Sequence, residues 1–309
     1  MSCAVRRRVL AARFAALACL VAAPLGAAVK PISVRPGDVF VLRLPPGQPA
    51  PAAADFLGKT YPPLVVSGER GPLFLLGVDL AAAPGGAEVV VHLDGGGEER
   101  RPVVILRRDF PQERLTLAPA MVTPPQELEE RIAREQALAA EVYRTTAADR
   151  LWDHRFTRAL QQKAGGNFGR RRILNGIPKS PHGGQDYTAP AGTPIRAIGG
   201  GTVRIARDWY YSGQTLLVDH GAGLVSMYMH LEKMLVAEGD SVAGGQVIGR
   251  VGSTGRATGP HLHLGVRLFE QRVDPETLWD LFTDQAAGAV QAAGESPAHQ
   301  GVPGGKGRK

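Results

Sequence analysis

Residues 258–266 read Thr-Gly-Pro-His-Leu-His-Leu-Gly-Val, and this stretch guides the interpretation of the whole chain. Because side chains alternate along a β-strand, His261 and His263 are expected to lie on one face of the strand. Leu262 and Leu264 then point into a core on the other face. Two histidines on one strand face indicate a metal site or a catalytic site, and a solvated strand face is the alternative.

Two further histidine patterns lie upstream of this strand. Residues 182–186 read His-Gly-Gly-Gln-Asp, which places an imidazole and a carboxylate, both good zinc ligands, four residues apart. The intervening glycines would allow the backbone to bend so that His182 and Asp186 converge on one ion. In residues 228–231, Tyr-Met-His-Leu, His230 follows an apolar run that is typical of a strand. By itself that pattern indicates a structural histidine in a core.

The histidines are clustered, since five of the eight fall between residues 182 and 263. Two histidines and one carboxylate, with other histidines nearby, are typical of a hydrolytic zinc site, which uses three protein ligands and leaves one position for water. A His-Glu-x-x-His motif, the mark of another class of zinc peptidase, is absent from the sequence. We interpret His220 and His92 as structural residues.

In their order and spacing these motifs resemble the LytM/lysostaphin-type zinc metallopeptidases, which are bacterial endopeptidases of peptidoglycan. The resemblance covers about residues 167–275 and implies a C-terminal antiparallel β domain of the LytM type (lysostaphin-like). It is supported by further stretches at 189–194, 219–221 and 239–249. A second resemblance, at 110–115, is to the N-terminal domain that some exported members carry.

The resemblance also implies a role for each site residue. The ligands of one Zn²⁺ per chain would be His182, Asp186 and His263. His230 and His261 would be the catalytic histidines, which orient a metal-activated water molecule and transfer protons during attack on a peptide carbonyl. Some members of the family have a tyrosine shortly before the first ligand as an oxyanion donor. Residues 175–181 contain no tyrosine, so the oxyanion donor stays unassigned.

The rest of the chain predicts a mainly β protein in which two β domains are joined by a long helical linker. Short apolar runs separated by Gly- and Pro-rich turns before residue 120 are typical of a small β-sandwich. Between Gln126 and about Gln162 the sequence has neither Gly nor Pro, which predicts a long helix or a pair of helices. The last residues are rich in Ala, Gly, Gln and Pro and are predicted to be disordered. The predicted segments are a signal peptide at 1–28, the N-terminal β-sandwich-like domain at 29–120, the helical linker at 121–164, the LytM-type metallopeptidase domain at 165–283 and a disordered tail at 284–309.

The N-terminus has the composition of a secretory signal peptide, because Arg6–Arg8 precede an apolar run that ends in small residues. Cleavage after Ala28 would remove both cysteines, Cys3 and Cys19, and leave an exported chain without thiols. We therefore expect a periplasmic protein that meets the membrane only through the signal peptide. A retained membrane anchor and a lipid anchor at Cys19 are the alternatives.

The net charge of +7 comes mainly from the two ends of the chain, where Arg6–Arg8, Arg13 and a basic, Gly-rich tail are found. Because no domain is basic, the composition does not predict nucleic-acid binding. The expected partner is peptidoglycan, and the sequence identifies no protein partner.

We expect a zinc-dependent endopeptidase that hydrolyses peptide bonds of bacterial peptidoglycan in cell-wall remodelling, at stem-peptide cross-links rather than at glycine bridges. One alternative is a non-catalytic relative that binds the wall and activates another wall hydrolase. Another is an intact enzyme that is inhibited by its helical segment or by a linker residue at the metal. A carrier function is disfavoured, because the hairpin-like stretch 239–246 lacks the lysine that biotinyl and lipoyl domains modify.

Overall fold

The computed structural model describes residues 29–282, except for residues 46, 154 and 280. The predicted signal peptide and the predicted tail therefore lie outside the described residues. The described residues from Pro31 onward belong to one compact unit. Within the described part of the chain, no helix has the length and the apolar character needed to span a membrane.

Strands dominate the described chain, and the helices are few and short. The strands are β1 (Ile32–Val34), β2 (Val39–Arg43), β3 (Pro51–Phe56), β4 (Lys59–Tyr61), β5 (Leu73–Gly77), β6 (Gly85–Leu93), β7 (Glu98–Ile105), β8 (Gln112–Leu115), β9 (Arg171–Leu174), β10 (Ile177–Pro178), β11 (Gly184–Thr188), β12 (Pro194–Arg196), β13 (Gly201–Trp209), β14 (Gly213–Gly221), β15 (Leu224–Met234), β16 (Ser241–Val242), β17 (Val247–Val251), β18 (His261–Leu268) and β19 (Gln271–Val273). The helices are α1 (Pro119–Val122), α2 (Glu129–Arg144) and the 3-10 turns Gln126–Leu128 and Pro275–Thr277. The predicted mainly β fold is confirmed.

The N-terminal strands form two sheets that pack face to face. One sheet has five strands in the order β1-β7-β6-β3-β4, and the other pairs β2 with β5. Alternate residues of β6, Val89 and Val91, are fully buried, as expected for a strand with one face on a core. Phe40 of β2 and Phe56 of β3 join the two sheets, with ring centroids 5.6 Å apart in an edge-to-face arrangement. The predicted β-sandwich is therefore confirmed.

The helix between the two β regions is shorter than the sequence predicts. It ends at Arg144, so the prediction of helix up to about Gln162 was wrong in its second half. Beyond the helix, the backbone N–H groups of Leu151 and Thr157 donate to carbonyls of the C-terminal region, each at 2.8 Å. The side chain of Trp152 is buried in the main core. Because these contacts satisfy the backbone without a helix, tertiary packing overrides the local helical composition.

The C-terminal strands form one antiparallel sheet of nine strands. Its main path is β11-β18-β15-β14-β13-β16, and β12, β17 and β19 pair off this path. Because β18 lies between β11 and β15, His263 is opposite both Asp186 and Met229. Leu262 and Leu264 are fully buried, which confirms the predicted inward face of β18. The register thus brings the motifs on β11 and β15 to either side of the His-Leu-His strand.

Helix α2 packs on this sheet through one apolar face. Its buried residues, Ile132, Ala139 and Val142, recur on one side of the helix. Ala139 and Val142 form a small separate core with Trp209 of β13 and Met227 of β15. A further sheet has the strand order β10-β9-β8. In it, β8 at the end of the N-terminal region pairs with β9, which precedes His182 in the chain. These contacts hold α2 against the sheet face on which Met227 lies.

Candidate metal centre and cleft

Three side chains with metal-binding atoms converge at β11 and β18. His182 precedes β11, Asp186 lies in β11, and His263 lies opposite Asp186 in β18. His182 Nε2 is 2.7 Å from His263 Nδ1, and Asp186 Oδ1 is 3.1 Å and 2.8 Å from these two nitrogens. Around a tetrahedral zinc ion, ligand atoms at about 2.0–2.1 Å from the metal lie about 3.3 Å from one another. A small increase in the distances between these three ligand atoms would therefore accommodate the ion. The donor types and their convergence therefore fit zinc.

Asn167 supports two of these three side chains. Its backbone carbonyl accepts a hydrogen bond from His182 Nδ1 at 3.0 Å, which leaves the Nε2 lone pair of His182 directed at the cluster. Its Nδ2 donates to Asp186 Oδ2 at 2.7 Å, and its Oδ1 accepts from the Asp186 backbone N–H at 3.0 Å. Partners of this kind orient the ligands and usually matter for metal affinity. Sequence reasoning missed Asn167, whose sole signal is its place at the start of the region of resemblance.

Gly184 has a role different from the one expected. Neither Gly183 nor Gly184 has a positive φ, so the expected bend does not depend on a left-handed glycine. Instead, the ring of His263 packs directly on Gly184, where an added Cβ would lie 2.7 Å from His263 Nε2. The backbone carbonyl of Leu264 would lie closer still to this Cβ, so a glycine is required at 184 by close approach of the strand β18 backbone and of a ligand ring rather than by backbone freedom.

The two predicted catalytic histidines face the same cleft as the ligands. His261 Nδ1 donates to the carbonyl of Gly259 at 2.8 Å, and its Nε2 lies 3.9 Å from Asp186 Oδ1. His230 Nδ1 donates to the carbonyl of Thr254 at 2.8 Å. The ring centroids of His230 and His261 are 4.8 Å apart. In both imidazoles a fixed Nδ1 partner leaves Nε2 free for chemistry.

His230 reaches the cleft because its backbone is left-handed. Met227 and Met229 line the cleft and Tyr228 is buried in the core, so strict alternation would place residue 230 in the core. The φ of His230 is 64°, an uncommon value for a residue with a side chain, and it reverses the alternation. His230 therefore lines the cleft while Leu231 enters the core. Backbone strain of this kind is often found at functional sites.

Burial and hydrogen bonding set the charge of the cluster. Burial lowers the pKa of His263 to about 4 and the pKa of His230 to about 3. Burial by itself would raise the pKa of Asp186, but hydrogen bonds with His182 and His263 outweigh it and hold that pKa well below its usual range. At neutral pH the cluster thus offers the Asp186 carboxylate and a neutral imidazole at His263, as metal binding requires, and His230 beside it is also neutral.

A cavity of about 630 Å³ surrounds the cluster. Side chains of β15 and β18 line one side of it, and α2 contributes Ile132, Gln136 and Tyr143. All five predicted site residues line this cavity. Their roles as ligands and catalysts stay predictions.

The two histidines interpreted as structural lie elsewhere. His220 is fully buried, with Nδ1 donating to the carbonyl of Gly200 at 2.8 Å and Nε2 2.7 Å from Ser226 Oγ. His92 Nε2 lies 2.8 Å from Asp55 Oδ2 on the N-terminal sheet. Both are satisfied by neighbours outside the metal cluster.

Comparison with known proteins identifies the family. Residues 180–275 match peptidase family M23. A Pseudomonas aeruginosa protein assigned to that family has a crystal structure that matches this chain with a TM-score of 0.62 and 31% sequence identity. The match covers 82% of this chain and 96% of that protein. The chain belongs to peptidase family M23.

Two curated relatives of this M23 family member have names that state an activity. Over 99 residues it is 44% identical to peptidoglycan DD-endopeptidase ShyA of Vibrio cholerae, and the match covers 31% of this chain and 23% of ShyA. Over 94 residues it is 46% identical to DD-carboxypeptidase/endopeptidase Mpg of Neisseria meningitidis, covering 30% of this chain and 22% of Mpg. The chain thus spans less than a quarter of the length of these two relatives.

Proposed function

We propose that the chain is a zinc-dependent endopeptidase that hydrolyses peptide bonds of bacterial peptidoglycan. The observation that carries the proposal is the cluster of His182, Asp186 and His263, with His230 and His261 lining the same cavity. A regulator that kept only the fold would need none of these five side chains. The complete set therefore favours an enzyme over a non-catalytic regulator.

The histidines would move protons during the reaction. When bound, zinc supplies a Lewis acid that polarises the peptide carbonyl and activates water. Nδ1 of His230 and of His261 faces a backbone carbonyl, which can only accept, so Nδ1 carries the hydrogen and Nε2 carries the lone pair. Each Nε2 can therefore take a proton from the attacking water and deliver it to the leaving amine.

The proposed substrate is the peptide cross-link between two stem peptides. The names of ShyA and Mpg include DD-endopeptidase and DD-carboxypeptidase/endopeptidase, which describe bonds between two D-amino-acid centres. Bonds of this kind join stem peptides directly, whereas a glycine bridge has no D-centres along its length. Hydrolysis of these cross-links would contribute to cell-wall remodelling.

Export to the periplasm is part of this proposal. It rests on the signal-like N-terminus and on the confinement of both cysteines to that segment. N-terminal sequencing of the protein from cell fractions should find a mature chain that begins near Val29. A diacylated Cys19 would instead show a lipoprotein.

Helix α2 supports a second candidate, an enzyme that is inhibited by its own linker. Ile132, Gln136 and Tyr143 of α2 line the same cavity as the metal cluster. A peptide lying in the cavity beside β18 would have to share that space with the helix. If α2 restrains the enzyme, Val142→Glu, which places a charge in the small core under α2, should raise the hydrolysis rate. An unchanged or lower rate in a folded Val142→Glu protein would argue against restraint.

The deciding experiment is digestion of purified sacculi by the zinc-loaded protein, with mass analysis of the released muropeptides. Cross-linked dimers should be converted to monomers by the wild type. Asp186→Ala should bind no zinc and release no monomers, and it serves as the inactive control. A zinc-loaded wild type that is inert on every wall substrate would contradict the proposal and favour the regulator.

A further inference from the structure

The cavity contains positive charge that the protein itself does not neutralise. The acidic side chains that line it are each engaged by neighbouring groups, and they are Glu113, Glu135 and Asp186. Arg256 also lines the cavity, yet it has no carboxylate within 4.0 Å in the described part of the chain. An unpaired guanidinium in a partly buried cavity is unfavourable unless a ligand neutralises it.

Arg256 is held in place by two contacts that leave most of its donors free. Its guanidinium lies over the ring of Tyr211, 4.4 Å from the centroid, and its Nη1 donates to the carbonyl of Met121 at 3.2 Å. Its other guanidinium N–H groups make no hydrogen bond with any residue that the structure describes. A planar, fixed guanidinium with free donors matches the geometry of a carboxylate, which it can bind with two parallel hydrogen bonds.

Arg172 is another of the four arginines that line the cavity, and unlike Arg256 it has two carboxylates within 4.0 Å. Its side chain is 22% exposed, and its Nη2 lies 3.7 Å from Asp186 Oδ2, beyond hydrogen-bond distance. Glu113 Oε2 is 3.5 Å from its Nε, and that Nε has no hydrogen-bond partner among the described groups. Burial, and then the charge of Arg172, lower the pKa of Arg256. A carboxylate near both guanidinium groups would relieve this repulsion.

The position of Arg256 in the chain indicates which part of a substrate it meets. It lies in the segment between β17 and β18, which supplies the carbonyls of Thr254 and Gly259 that hold His230 and His261. In the proposed reaction these histidines deliver a proton to the leaving amine. Because Arg256 lines the same cavity as these histidines, a group that it binds would share the cavity with the leaving amine.

We propose that Arg256, with Arg172 in the same cavity, binds a free carboxylate of the substrate on the amine side of the scissile bond. This inference rests on the proposed function and makes it more specific. In a bond between two D-centres, the carbon that bears the scissile nitrogen also bears a carboxyl group, only two bonds from that nitrogen. The cavity would thus select cross-links in which this carboxyl group is free over those in which it is amidated.

Two pairs of synthetic cross-linked peptides test the inference. The members of each pair differ only at the D-centre that bears the scissile nitrogen, which carries a carboxylate in one and a carboxamide in the other. In the first pair the scissile amide is intact, and kcat/KM is measured. In the second pair a methylene group replaces the scissile nitrogen, so that the peptide cannot be cut, and calorimetry measures binding to the zinc-loaded protein. Arg256→Gln and Arg256→Lys are compared with Arg250→Ala, an exposed arginine on β17 that does not line the cavity.

The wild type and Arg250→Ala should prefer the carboxylate about 10- to 100-fold in both assays. Arg256→Gln should lose the preference while its zinc content is unchanged. Arg256→Lys keeps the charge but cannot form two parallel hydrogen bonds, so it should keep only part of the preference. A wild type without preference, or an Arg256→Gln protein that keeps it, would overturn the inference. If neither peptide is cut but calorimetry still shows the preference for the carboxylate, the proposed function is wrong and the inference stands. If both peptides are cut with equal kcat/KM, the inference is wrong and the proposed function stands.

Discussion

Replacing Gly184 with alanine should disturb the metal site through the ring of His263. A Cβ at residue 184 would lie 2.7 Å from Nε2 and 2.9 Å from Cε1 of that ring, whereas ordinary contact begins at 3.4 Å. The backbone carbonyl of Leu264 would lie closer still to this Cβ, so the variant also strains the pairing of β11 with β18. The ring would have to move by about 0.7 Å, roughly a third of a zinc–nitrogen bond. We expect zinc affinity to fall about 10- to 100-fold, or about 1.4–2.7 kcal/mol.

The neighbouring glycine provides the matched control for this prediction. A Cβ at Gly183 would meet nothing closer than 3.9 Å, and neither glycine has a positive φ. Gly183→Ala should therefore bind zinc within about twofold of the wild type, as is usual for a substitution that creates no clash. Zinc affinity is measured by competition with a fluorescent chelator, and thermal unfolding of the metal-free proteins checks that Gly184→Ala folds. Equal zinc affinity in the two variants would refute the argument from close packing.

Three further predictions concern the histidines and their supports. His230→Ala and His261→Ala should retain near-full zinc but lose about 10²–10⁴-fold in hydrolysis rate. Zinc content and kinetics are measured on the same preparations, and loss of zinc in His261→Ala would mean that its role and that of His263 are exchanged. Asn167→Ala should bind zinc about 10- to 100-fold more weakly in chelator competition, because Asp186 loses both of its hydrogen bonds with the Asn167 side chain while the backbone carbonyl that faces His182 is kept. Unchanged affinity would contradict this supporting role. The metal-free protein should lose stability as the pH falls from about 6.5 to about 4, because burial lowers the pKa of His220 to about 4 in the folded state and also lowers the pKa values of His263 and His230, and the unfolded chain takes up these protons first. Urea unfolding at several pH values should show a weaker dependence in His220→Gln, and an identical dependence in the two proteins would rule His220 out as the cause.

Local patterns were sufficient to predict the strand at the centre of the site. The alternation of His261, Leu262, His263 and Leu264 depends only on the two-residue period of a strand, and the two leucines are fully buried as expected. The resemblance that the three histidine motifs carry predicted which side chains would lie together, and all five line one cavity. The mainly β fold and the N-terminal sandwich followed from short apolar runs and turn residues, which are also local signals.

The extent of the helical linker was decided by contacts that are distant in sequence. Composition favours helix throughout Gln126–Gln162, yet the helix ends at Arg144. The chain beyond it gives its backbone hydrogen bonds to the C-terminal region and buries Trp152 in the main core. Helix propensity is a weak preference, and burial of a large aromatic side chain outweighs it. Asn167 was missed for a related reason, because its partners Asp186 and His182 are 19 and 15 residues away in the chain.

His230 shows most clearly what the sequence by itself determined and what only the tertiary structure decided. Its sequence neighbours determined that it would lie in a strand, and the alternation that starts at Met227 would have placed it in the core. Its backbone N–H instead donates to the carbonyl of Ser212 and its Nδ1 to the carbonyl of Thr254, each at 2.8 Å. These two partners lie on either side of it in the chain, 18 and 24 residues away, and hold a left-handed backbone that turns the imidazole into the cleft. A local pattern cannot encode that reversal, because the hydrogen bonds that stabilise it form only when the sheet and its connecting loops are assembled.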